Sequence, residues 1–182
     1  EAVDKCEKRP VMIADAASMY SAKASGMAPK FDIFTPDATE MAFLADPAAT
    51  HPAYIARHLF DTDVTQTPKL IGAAYDNKSA AKLLLVKGAV DYIVSNGKII
   101  ETIDQPDVPA LEPIGGTGDT ITGLVAALAY NGLEPQKAAI IAAKTNRTAG
   151  QLAKPNPATK VSEIIKQFPT VLEQHFKEWR GK

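Results

Sequence analysis

Gly115-Gly116-Thr117-Gly118-Asp119-Thr120-Ile121-Thr122-Gly123-Leu124-Val125-Ala126-Ala127-Leu128 joins a glycine-rich loop to an amphipathic helix. Ile121, Leu124, Val125 and Leu128 recur at helical spacing and form one apolar stripe, and Asn131-Gly132 supplies the stop signal. Upstream of the stripe, glycines let the backbone turn sharply and approach a ligand closely. The first amides of a helix have no intrahelical acceptor, and the helix dipole favours negative charge at that end. The loop therefore predicts a seat for an anion, with Asp119 beside it in the first helical turn. The same residues also suit a plain helix cap, because aspartate is favoured at helix starts. A dinucleotide fingerprint is excluded by spacing, since Ile121 stands where its third glycine belongs. A P-loop is excluded because no Gly-Lys-Ser/Thr tripeptide occurs.

Working outward, short apolar runs alternate with helical patterns. Val11–Ala14 reads as a buried strand ending at Asp15, and Phe31–Phe34 as a second, meeting Thr35-Pro36 with Pro36 as a first helical residue. Ser21–Lys30 reads as a loop, and Glu40, Met41, Leu44 and Ala45 as a helix face. Helices are predicted over Pro52–Phe60 and Pro68–Ala81. Leu83–Val86 is a continuous apolar run of the kind buried on both sheet faces, and it ends at Lys87-Gly88. Asn96-Gly97 between Tyr92–Val94 and Ile99-Ile100 is a hairpin signal. Beyond the glycine loop, helices are predicted from Pro135 to about Ala153, over Val161–Phe168, and from a Thr170/Glu173 capping box to about Trp179. The alternation predicts an α/β fold: an open, mostly parallel sheet, helices on both faces, and an antiparallel edge hairpin. One domain is expected over residues 1–182. Glu1–Arg9 reads as the end of a helix already under way, so more chain is expected upstream.

At 182 residues, with 46% hydrophobic and 23% charged residues, the chain has the composition of an ordinary globular domain. A net charge of -1 gives no bulk attraction to nucleic acid or an anionic membrane. The single cysteine, Cys6, allows no internal disulfide, which agrees with a cytoplasmic location. His51, His58 and His175 lack metal-ligand spacing. The stripe of Leu172, Phe176 and Trp179 reads as packing.

Gly116-Thr117-Gly118-Asp119-Thr120-Ile121-Thr122-Gly123 resembles the GxGD signature of the ribokinase-like superfamily, most closely its ATP- or ADP-dependent NAD(P)H-hydrate dehydratase branch. Other segments resemble that branch in the same order: Val11–Ala16, Thr35–Glu40, Leu85–Ala89 and Asn146–Gly150. The resemblance spans nearly all of residues 10–155 and implies the ribokinase-like fold. It also implies phosphorylation of a hydroxyl on hydrated NAD(P)H. Asp119 would be the catalytic base, and Gly115, Gly116, Thr117 and Gly118 would hold the nucleotide phosphates of ATP or ADP, with Mg2+ bridging them.

By the same resemblance Lys87 and Gly88 would contact phosphate, Asn146 would border the nucleotide base, and Asp15 and Asp37 would face the substrate. Glu40 would support Mg2+. Each residue also has a plainer reading. Asp37 and Glu40 fit a capping box. Asp15 suits a loop cap, Lys87 an exposed strand end, and Asn146 a helix face in water. The chain departs from the branch at Ala17, where a second aspartate is common, and at Asp37, where histidine or asparagine is usual. Two alternatives therefore stand beside the dehydratase: a kinase of a small hydroxylated metabolite (a sugar, hydroxyethylthiazole or a pyrimidine alcohol), and a nucleotide-binding module without turnover. A homo-oligomer is a further possible partner state.

Overall fold

The computed structural model describes residues 2–50 and 64–181. The helix expected over Pro52–Phe60, with His51 and His58, lies outside the described residues. Five strands form one sheet: β1 (Ile13–Ala14), β2 (Ile33–Phe34), β3 (Leu83–Val86), β4 (Asp91–Ser95) and β5 (Lys98–Ile103), in spatial order β1-β2-β3-β4-β5. β1, β2 and β3 run parallel, and β4 and β5 add the antiparallel edge. The α/β architecture and the edge hairpin agree with the sequence reading. At the hairpin tip Asn96 (φ 47°) and Gly97 (φ 83°) both adopt positive φ, as a two-residue turn matched to strand twist requires.

Helices cover both faces. On one lie α1 (Ala16–Ala24), α2 (Ala38–Ala45) and α3 (Thr67–Asp76), packing Met19, Met41, Leu44 and Ile71 against Phe34, Leu84, Val86 and Val94. On the other lie α4 (Thr117–Tyr130), α5 (Pro135–Leu152) and α7 (Phe168–Arg180), with α6 (Val161–Ile165) leading into α7. There Ile121, Leu124, Val125 and Leu128 meet Ile33, Leu83, Leu85, Ile93 and Ile141. Each large apolar side chain so buried stabilises the fold by roughly 1.5–3 kcal/mol. All four residues of β3 are buried, because both of its faces are covered. Leu172, Phe176 and Trp179 pack against the second core. No helix among the described residues is long and apolar enough to cross a membrane.

Several local expectations are corrected. β1 and β2 keep two residues each, because the Met12 amide donates to the Asp32 carboxylate (2.8 Å) instead of entering the ladder. α1 runs through the segment expected as loop from Ser21. Asp15 caps its start and Gly26 (φ 69°) ends it, with the Met27 amide donating to the Ala22 carbonyl. α2 begins at Ala38, not Pro36, since the Asp37 carboxylate accepts the Glu40 amide and so sets the N-cap. α3 stops at Asp76. The Asn77 side chain turns to donate to the Ala45 carbonyl (2.7 Å), and Lys78 (φ 55°) breaks the helix. α7 starts at Phe168 with Pro169 in its first turn, so Thr170 lies inside the helix and caps nothing. The N-terminal segment forms a 3-10 turn over Val3–Lys5 instead of a helix end.

Thr145 on α5 is fully buried, and its hydroxyl has no hydrogen-bond partner among the described residues. An unmade buried hydrogen bond costs about 1–3 kcal/mol, whereas valine fills the same space and has similar helix propensity. Thr145→Val is expected to raise unfolding free energy by about 1 kcal/mol in urea titration. A loss of stability would show that the hydroxyl is satisfied in solution.

Candidate active site

The carboxyl ends of the parallel strands and the start of α4 converge, the usual ligand position of an open α/β sheet. Asp15 follows β1, Thr35 to Asp37 follow β2, Lys87-Gly88 follow β3, and the glycine loop enters from the second helical layer. An isolated parallel bridge, Asp37 with Lys87, extends the sheet here, and the Lys87 amide donates to the Pro36 carbonyl (2.7 Å).

Gly116 is the N-cap of the 14-residue α4 with φ 92°, a conformation open to glycine and strained for other residues. Its carbonyl accepts the Thr120 amide at 3.0 Å. The amides of Gly116, Thr117, Gly118 and Asp119 donate to no protein group among the described residues. Four free donors thus stand at the positive end of a helix. The Thr117 hydroxyl ties the loop back to the Ile114 carbonyl (3.1 Å). Asp119 is exposed in the first turn, and its carboxylate makes no hydrogen bond or ion pair among the described residues.

Lys87 crosses the floor of this seat. Its ammonium pairs with both Asp15 oxygens, at 2.9 and 3.1 Å, and lies 3.4 Å from where a β-carbon on Gly118 would be. Asp15 also accepts the Thr122 hydroxyl (2.6 Å) and the Ala16 amide (3.0 Å). Because Thr122 spends its proton on Asp15, the buried Thr35 hydroxyl donates to Thr122 across 2.9 Å. A continuous chain thus runs Lys87–Asp15–Thr122–Thr35. Thr122 and Thr35 carry no role in the sequence reading. The signal available was Thr122's position one turn beyond Asp119, on the same side of the helix.

The other predicted residues fall at different distances from the seat. Asp37 and Glu40 form a reciprocal capping box: the Asp37 amide donates to Glu40 Oε2 (2.8 Å) and the Glu40 amide to Asp37 Oδ1 (2.8 Å). The remaining Glu40 oxygen accepts the Tyr20 hydroxyl at 2.9 Å. Asn146 is buried, not solvated. It donates to the Thr117 carbonyl (3.2 Å), and its own oxygen lies 2.8 Å from the Thr120 hydroxyl. A cavity of about 510 Å³ opens beside the loop, walled by Pro113, Ile114, Gly115, Asn156, Thr159 and Val161. Asn146 is not in its wall. Pro155 and Pro157 are legible only as helix breakers, so sequence reasoning passed over Asn156, Thr159 and Val161.

A profile described as NAD(P)H-hydrate dehydratase matches residues 3–170. The chain belongs to the NAD(P)H-hydrate dehydratase family. It is 43% identical over 168 residues to an uncharacterized protein of Methanocaldococcus jannaschii, covering 92% of this chain and 72% of that one. Part of the chain is similar to a bifunctional NAD(P)H-hydrate repair enzyme of Hyperthermus butylicus, 40% identical over 92 residues. That match covers 50% of this chain and 17% of the relative. An ADP-dependent (S)-NAD(P)H-hydrate dehydratase of Haloterrigena turkmenica is 31% identical over 101 residues, 54% of this chain and 38% of its own length. As a member of this dehydratase family, the chain is an enzyme of that type.

Burial pushes the Glu40 carboxyl above its ordinary value, with the Asp37 charge adding to the rise; hydrogen bonds from Asp37 and Tyr20 and the Lys87 charge offset part of it. The folded state therefore holds the Glu40 proton to higher pH than the unfolded chain. The associated stability is present at low pH and is lost as pH rises above about 4.5 through the folded-state value. Glu40→Gln keeps an acceptor for the Asp37 amide but removes the titration. Its Tm relative to wild type is expected to climb by a few degrees as pH is raised from 4 towards 7, measured by calorimetry at matched ionic strength. A pH-independent difference would contradict this.

Proposed function

We propose that this chain restores hydrated NAD(P)H in a nucleotide-dependent reaction, with ATP or ADP as phosphoryl donor. The observation that carries the reading is the set of amides at residues 116–119, unpaired among the described residues and opening α4 beside the Lys87 ammonium. Fixed donors aimed at one point stabilise charge on a transferring phosphoryl group without reorganising. The adjoining cavity ends at Gly115 and has the volume and mixed lining to take the nucleoside portion.

In this reading the phosphates sit on the amides of Gly115, Gly116, Thr117 and Gly118, with Lys87 and the Gly88 turn across from them. Asp119, whose oxygens make no hydrogen bond among the described residues, removes the proton from the acceptor hydroxyl. The hydroxyl oxygen bonds to the terminal phosphorus while the bridging oxygen leaves with the shortened nucleotide. Phosphate then departs from the hydrated ring with the C–O electron pair. A proton leaves the neighbouring carbon, and the ring double bond re-forms.

Mg2+ fits this donor set. It is usually held by one or two carboxylates plus phosphates and water, and the Glu40 carboxylate at the α2 start, which accepts the Asp37 amide and the Tyr20 hydroxyl, keeps further lone pairs for a hydrated ion. Glu40 would support it at the α2 start, where it would neutralise phosphate charge, and Asp37 would face the substrate. Asp15 would face the acceptor, held in place by the Lys87 ammonium and the Thr122 hydroxyl. Asn146 supports the loop from behind the nucleotide.

Purified protein with Mg2+, hydrated NADH and either ATP or ADP is expected to regenerate reduced nicotinamide absorbance. Asp119→Asn should lower turnover by roughly 10²–10⁴-fold, the usual contribution of a general base, with nucleotide affinity within a few fold of wild type. A near-normal rate in that variant would remove Asp119 from the mechanism. Gly118→Val places branched carbon against Lys87 and over the amides. It is expected to weaken nucleotide binding in calorimetry by at least about tenfold, and unchanged affinity would count against the anion seat.

A further inference from the structure

The buried group least explained by this mechanism is Arg147 on α5. Its side chain and that of Asp91 are nearly inaccessible, and the two pair at 2.7 Å through Arg147 Nε and Asp91 Oδ2. The guanidinium also donates to the Gly88 and Ala89 carbonyls, both at 2.8 Å, and to the Pro106 carbonyl at 3.4 Å. The other Asp91 oxygen accepts the Gly88 amide at 3.0 Å. Every strong contact of the pair thus falls on the turn that begins at Lys87-Gly88.

A buried ion pair is a poor source of stability, since well-packed apolar side chains of similar volume often do as well or better. What a rigid planar fork adds is geometry, because several acceptors must stand at fixed positions around it. With the Gly88 and Ala89 carbonyls held inward, the turn cannot rotate, and Lys87 is launched from it towards Gly118. The preceding residue on the same helix, Asn146, holds the opposite side of the seat through the Thr117 carbonyl and the Thr120 hydroxyl. Consecutive helical residues project about 100° apart, so one turn of α5 can reach both walls.

We infer that Asn146 and Arg147 form a single brace on α5 that sets the separation between the α4 amides and the Lys87-Gly88 turn, making Arg147, through Asp91, a positioning residue for the nucleotide phosphates. This rests on the placement of phosphates proposed above. The brace touches no reacting atom. It acts by keeping two half-sites at the spacing a polyphosphate spans.

Two variants separate positioning from simple support. Arg147→Lys keeps a positive charge near Asp91 but loses the planar fork. The double replacement Asp91→Leu with Arg147→Met removes both charges and retains apolar volume. Each is first checked for a cooperative thermal transition, and Mg-ADP and Mg-ATP dissociation constants are then measured by calorimetry well below Tm. Folded protein with nucleotide affinity weakened roughly ten- to a hundredfold, and acceptor KM nearly unchanged, is the expected result in both. Wild-type affinity in either folded variant overturns the brace. If wild-type protein binds neither nucleotide, the phosphate reading itself fails, and the brace is decided on unliganded protein by NMR. There Arg147→Lys must shift the Gly88, Ala89 and Gly118 amide resonances, and unmoved Gly88 and Gly118 signals overturn it.

Discussion

One ammonium group organises this site. Lys87 Nζ sits between a carboxylate on the first parallel strand and the backbone of the glycine loop, so it joins elements from both helical layers across the end of the sheet. A partly buried lysine needs an opposite charge nearby, and Asp15 supplies it. Opposite it lies Gly118, in near contact with the lysine side chain. An alanine there would bring its methyl group to 3.4 Å from the ammonium, and anything larger would have to displace it.

Polarity around the ammonium is graded. On the seat side lie uncharged donors, the α4 amides, whose partial positive charges favour an anion. On the sheet side lies Asp15, whose charge is shared by the ammonium, the Thr122 hydroxyl and the Ala16 amide. Thr35 and Thr122 extend the hydrogen bonding inward without adding net charge, so the floor of the site is polar but not strongly acidic. Asp37 and Glu40 stand at the α2 start, where their carboxylates also satisfy helix amides.

Much of this was legible before any coordinates. The β3 run, the Asn96-Gly97 hairpin and the α4 stripe all rest on strong local signals: uninterrupted apolarity, a two-residue turn with positive φ, and helical periodicity. The glycine loop was legible for the same reason, since its geometry is local. What escaped notice depends on distant partners. β1 and β2 were read too long because the Asp32 side chain intercepts the Met12 amide. The end of α3 is set by a bond from Asn77 to α2. The end of α1 resembles a loop in sequence because Ser21, Lys23 and the following Ser25-Gly26 carry no large apolar residue at helical spacing. Asn146 illustrates the limit well. The sequence suggests a residue bordering the nucleotide or a helix face in water, and only the fold shows its amide turned onto the first turn of α4.

The same limit governs Arg147, an ordinary helical arginine by sequence. Its burial has meaning only because α5 passes behind both the β3–β4 turn and the glycine loop. Charge in such a place is costly unless it is paired and hydrogen-bonded. Here the fork places four of its five donors on one carboxylate and three carbonyls. The sheet supplies Lys87 and Asp15, and the α4 start supplies the amides, but neither alone determines how far apart they stand. That distance is set from behind, by two adjacent side chains on a helix that contributes nothing else to the seat.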